Sequence, residues 1–125
     1  MKKILLLLFV IVNSVAFSQE IALSNDAVLG KWELLDIVNP KLTVAEIAEN
    51  KAFLEGTFLE FKNDQKCVVG MIIDLDGTWT LDISAKIITT ETRRGKSFWK
   101  IHAIEIDKIT LSLDEATQKV IFKRV

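Results

Sequence analysis

The residues able to do chemistry are few and scattered. His102 is the single histidine and Cys67 the single cysteine. A metal held by His102 would need Asp, Glu or Cys partners at matched spacing, and no such spacing is present. His102 therefore reads as a histidine on a strand face with no catalytic duty. A lone cysteine cannot close an internal disulfide. Cys67 opens the apolar run KCVVGMII, which points to a buried, small apolar residue; an intermolecular disulfide is the alternative. Asp74 and Asp76 flank Leu75 just before Gly77, but the remaining ligand spacing of a calcium loop is missing. The preferred reading there is a turn whose carboxylates accept their own backbone amides. No nucleophile elbow, glycine-rich phosphate loop or HExxH occurs. We expect no enzyme activity, no cofactor and no metal; a hydrolase would need a polar cluster around His102.

Charge excludes other classes. The chain carries 16 basic and 17 acidic residues. A weakly acidic surface gives no electrostatic reason to attract nucleic acid or anionic lipid. The basic knot Thr92-Arg93-Arg94-Gly95-Lys96 reads as a solvated hairpin tip.

The first 18 residues have the pattern of a signal peptide. Lys2 and Lys3 precede an apolar run from Ile4 to Val12 that is too short to span a bilayer comfortably, and Ala16 and Ser18 are small residues placed for cleavage before Gln19. No cysteine stands at that site for lipid attachment. The expected product is one domain, 19–125, with a net charge of −3 once Lys2 and Lys3 are gone, and no transmembrane segment. Its expected location is the periplasm or the exterior.

The elements that must position these residues are mostly strands. Trp32 and Leu34 share one face of the first alternating stretch, with Asp36 at its end, and Leu35 and Ile37 share the other. The tryptophan face is assigned to the interior. Thr43-Val44-Ala45-Glu46 is a capping box, Leu42 and Ile47 stand at the positions of a hydrophobic staple, and Gly56 is a suitable stop. The spacing predicts one helix over 44–55. After it the period is two. Strands are expected at 31–37, 57–62, 66–75, 77–83, 86–91, 97–106, 109–113 and 119–124. Asp76-Gly77 is the strongest hairpin signal, and Gly70 marks a bulge or bend. On 97–106, Trp99, Ile101 and Ala103 share one side, while Phe98, Lys100, His102 and Ile104 share the other.

The fold class is all-β: an antiparallel up-and-down meander of about eight strands with one short helix. Closure into a barrel satisfies both edges and buries one face of each strand. A two-sheet sandwich or flattened barrel is the alternative, and spacing does not separate them.

The segment Leu29-Gly30-Lys31-Trp32, after the turn-like Ser24-Asn25-Asp26-Ala27, resembles the first block of the lipocalins and of small secreted lipocalin-like domains common in Bacteroidetes. Asp76-Gly77-Thr78-Trp79-Thr80-Leu81 and the closing segment from Ile109 to Arg124 are similar to those domains as well. The resemblance implies that Gly30 and Trp32 plug one barrel end and that Arg124 packs over the tryptophan. The chain departs from lipocalins in its length, in lacking a Thr-Asp-Tyr block and any tyrosine, and in the helix after the first strand.

Two functions follow. One is binding of a small hydrophobic molecule inside the barrel, with Phe58, Phe61, Met71, Trp79, Phe98 and Trp99 as candidate ligand-binding residues. The other is a packed-core envelope or protein-interaction module, whose sign would be an exposed apolar patch outside the barrel. An empty interior separates the first from the second.

Overall fold

The structure is a computed structural model and describes residues 20–125; the expected signal peptide lies outside the described residues. Eight antiparallel strands close into a barrel in sequence order: β1 (Gly30–Val38), β2 (Phe58–Phe61), β3 (Lys66–Met71), β4 (Ile73–Asp82), β5 (Ile87–Thr92), β6 (Gly95–Ile104), β7 (Lys108–Leu113) and β8 (Lys119–Arg124). β1 pairs with both β2 and β8, so the sheet has no free edge. A short helix, α1 (Asn25–Val28), precedes β1, and α2 (Val44–Phe53) connects β1 to β2. Among the described residues no helix is long and apolar enough to cross a membrane.

The capping box forms as the sequence indicates. The Thr43 hydroxyl accepts from Glu46 N at 3.2 Å, and Thr43 N donates back to Glu46 Oε1 at 2.9 Å. The Thr43 backbone bond, then the hydroxyl, hold the Glu46 carboxyl below its ordinary value. The helix ends at Phe53, two residues early, and none of its residues is buried. Its polar contacts reach β1, where Lys51 Nζ lies 3.7 Å from Asp36 Oδ1, and the β7–β8 connection, where Asn50 Nδ2 donates to Gln118 Oε1 at 3.3 Å.

Two bulges shift the alternation. Leu35 is an extra residue between Leu34 and Asp36 in the β1–β8 register. Beyond it Ile37, paired with Val120, is buried, and Asp36 is exposed. His102 is the extra residue between Ile101 and Ala103 against β7. Ile104, paired with Ile109, therefore joins the core, and Ala103 stays outside it. A bulge inserts one residue and reverses which face the rest of the strand presents. These two corrections follow from that single effect.

The Asp76-Gly77 hairpin is also corrected. Gly77 lies inside β4, between Cys67 and Thr92, and Asp74 and Asp76 are exposed strand residues. The reversal falls at Ile72 instead, which has φ 68° and is 89% exposed. A Cβ on Gly77 would lie 2.2 Å from the Glu91 carbonyl oxygen. Glycine is needed here for close backbone approach between β4 and β5, not for a turn. Gly70 is neither bulge nor bend. It pairs regularly with Phe58 and Asp74, and the Phe58 ring lies over it.

Candidate functional site

The two barrel ends are built differently. At one end the N-terminal segment folds across the opening. Ile21 N donates to Ile104 O at 2.9 Å, and Ile21, Leu23, Ala27 and Leu29 pack against the core. Trp32 is fully buried and donates its indole N–H to Val28 O at 2.9 Å. The Arg124 guanidinium carbon sits 4.1 Å from the Trp32 ring centroid, a cation–π contact. The same guanidinium donates to three carbonyl oxygens: Leu29 at 2.6 Å, Ala27 at 2.8 Å and Ile106 at 2.9 Å. Gly30 has φ 120°, and a Cβ there would meet Arg124 Nη1 at 2.9 Å. Gly30, Trp32 and Arg124 thus stand together and close this end.

Above this plug the interior is filled. Phe61 and Trp79 pack edge to face at 5.3 Å, and Trp79 donates to Lys62 O at 3.0 Å. Ile88, Ile109 and Leu111 belong to the same core. Higher still, Trp99 meets Phe122 at 6.4 Å and donates to the buried Thr90 hydroxyl at 3.0 Å.

The opposite end is recessed. Two adjoining cavities, about 190 and 240 Å³, share Met71, Trp99 and Leu113 as a common floor. All four connections at this end supply wall residues: Leu54 after α2, Ile72 between β3 and β4, Arg94 between β5 and β6, and Gln118 between β7 and β8. Ile72 holds a positive φ that a β-branched side chain adopts only under strain. The smaller cavity is walled mainly by Leu34, Leu54, Val120 and Phe122. The larger one has Thr90, Thr92, Arg94 and Ser97 in its wall.

Of the six ligand candidates, Met71 and Trp99 line this mouth. Phe61 belongs to the packed interior near the closed end; Trp79 packs on it and also lines a cavity of about 250 Å³ there, among polar residues that include Asn25, Asp26 and Lys62. Phe58 and Phe98 are corrections: both lie outside the barrel. Phe58 alternates with the inward Leu59, covers Gly70 and carries Lys31 Nζ 4.5 Å from its ring centroid. Phe98 is 48% exposed beside the buried Trp99. Both sit one residue out of phase with the inward set, so aromatic character alone does not select lining residues. The missed lining residues, Leu34, Leu113 and Val120, were legible as inward positions. What was not legible was the height in the barrel at which packing stops.

The remaining chemistry is sparse. His102 Nε2 lies 2.8 Å from Ser112 Oγ, the spacing of a base and a nucleophile. Ser112 is buried, however, and burial followed by the charges of Lys119 and Lys100 lowers the His102 pKa. Those charges oppose the imidazolium that general-base catalysis would form. Among the described residues no three His, Cys, Asp or Glu side chains cluster as metal ligands.

Cys67 is 2% exposed, and its thiol lies 3.4 Å from Thr78 O as donor. Burial, then the nearby Asp76 charge, pushes it up to about 11 from an ordinary 9.0. The folded protein should therefore resist a thiol-reactive disulfide reagent at pH 8 and react promptly once denatured. Prompt reaction of the native protein would contradict this placement. The stabilisation from a neutral buried thiol is complete below pH 9 and is lost as pH rises toward 11.

No protein family matches the chain, and no curated protein does. A solved structure is similar in fold: a DUF4847 family protein from Bacteroides vulgatus ATCC 8482, with a TM-score of 0.54 at 14% identity, covering 75% of this chain and 91% of that one.

Proposed function

We propose that the chain is an exported, non-enzymatic, lipocalin-like barrel that binds one small hydrophobic molecule at its open mouth. The observation that carries this reading is the contrast between the ends. One is plugged by Trp32 and Arg124, while the other leaves an apolar recess over Met71 and Trp99. Each cavity is smaller than the roughly 300–1,000 Å³ of a drug-sized site, so the ligand is small or spans both. The resemblance of the Leu29–Trp32 segment to lipocalins supports the same reading.

Native mass spectrometry of protein purified from its own host, followed by organic extraction, tests it. A co-purifying hydrophobe near one per chain is the expected result. No added mass, together with no binding of aliphatic or aromatic hydrophobes by calorimetry, would remove the reading. A second reading, docking of a protein partner, is favoured by exposed apolar side chains on α2, outside the barrel, with Val44 at 86% and Phe53 at 73%.

A further inference from the structure

The mouth is not uniformly apolar, and its charge lies on one side. The side formed by β1, β8 and the end of α2 presents Leu34, Leu54, Val120 and Phe122, with Thr57 and Gln118 as its polar but uncharged residues. The side formed by β5, β6 and their connection is lined by three hydroxyl-bearing residues, Thr90, Thr92 and Ser97, and by Arg94. Arg94 is the one charged residue among those lining either cavity. No described carboxylate lies within 4.0 Å of it, the only such ion pair among the described residues being Lys51 with Asp36. The Arg94 backbone is tied down by its N–H bond to Thr92 Oγ1 at 3.2 Å. The Thr90 hydroxyl accepts from Trp99 and keeps its own proton to donate.

Resting on the mouth reading above, we infer that the ligand is an anionic amphipath. Its carboxylate, sulfate or phosphate head lies at Arg94 among the hydroxyls, and its apolar tail lies over Trp99 toward Phe122. A planar guanidinium with neighbouring O–H donors suits an oxyanion, which accepts paired, charge-assisted hydrogen bonds. A quaternary ammonium head would face Arg94 with like charge. An uncharged alcohol would gain the tail contacts and ordinary hydrogen bonds, without the charge-assisted ones.

The test is calorimetry on the purified protein with decanoate, decyl sulfate, decanol and decyltrimethylammonium, each below its micelle concentration. The expected order is anions tightest and cation weakest, with the anions about tenfold or more above decanol. Arg94→Gln should bring decanoate down to the level of decanol and leave decanol unchanged. Added salt should weaken the anions selectively. Equal binding of decanol and decanoate by the native protein would overturn the inference while leaving the mouth as a binding site. So would an Arg94→Gln effect of the same size on both. Binding of none of the four would overturn the mouth reading itself and this inference with it.

Discussion

Arg124→Ala is expected to destabilise the protein by about 3 kcal/mol, because one side chain on β8 fastens two other segments through three carbonyls. Its donors reach the carbonyls of Ala27 and Leu29 before β1 and of Ile106 between β6 and β7, and its plane covers Trp32. Hydrogen bonds to a charged group contribute roughly 1.5–3 kcal/mol, and a partly desolvated cation–π contact about 0.5–2 kcal/mol. Partial exposure and re-solvation of the freed carbonyls keep the net loss below the sum. For a domain of this size the loss corresponds to a fall in Tm of roughly 12–20 °C. Urea denaturation should show a lower midpoint at an unchanged slope. Arg124→Lys should recover only part of the loss, since an ammonium cannot span the same three acceptors while lying flat on the ring. A loss under about 1 kcal/mol for alanine would mean that the plug stands on Trp32 burial alone.

Gly77→Ala is expected to be at least as damaging, by about 3 kcal/mol or more, for a different reason. The new methyl would lie 2.2 Å from the Glu91 carbonyl oxygen and 2.9 Å from Thr92 Cγ2. The first of these is backbone in the paired strand, so relief requires β4 and β5 to separate. In a closed barrel that movement propagates to both neighbouring pairings. Gly70→Ala is the informative comparison. Its methyl would come within 2.2 Å of the Phe58 ring, which is a side chain on the outer surface and can swing aside. Urea midpoints should therefore rank native, Gly70→Ala, Gly77→Ala from most to least stable. Faster amide hydrogen exchange in the Gly77 variant should concentrate in β4 and β5. The reverse ranking would show that Gly77 is not a site of obligatory close approach.

Local pattern by itself determined much of this protein. Alternation located most strands within a few residues, because a half-buried strand must present apolar side chains with period two, but it carried the third strand through the reversal at Ile72. The Thr43–Glu46 capping box located the helix start, because its donors and acceptors lie within four consecutive residues. Gly30, Trp32 and Arg124 came instead from the resemblance of the Leu29–Trp32 and closing segments to lipocalins, not from alternation or capping.

Tertiary structure decided what depends on distant neighbours. Asp76-Gly77 has the composition of a hairpin turn, yet its glycine serves the approach of Glu91, which no local window contains. Leu35 and His102 look like ordinary strand residues, and only the partner strand's register makes them the extra ones. Phe58 and Trp99 are both aromatic strand residues, yet one covers a glycine outside and the other floors the mouth, according to phase. The mouth itself exists because four connections and the ends of several strands leave a volume unfilled. Closure of the ring sets that volume and places Arg94 beside it.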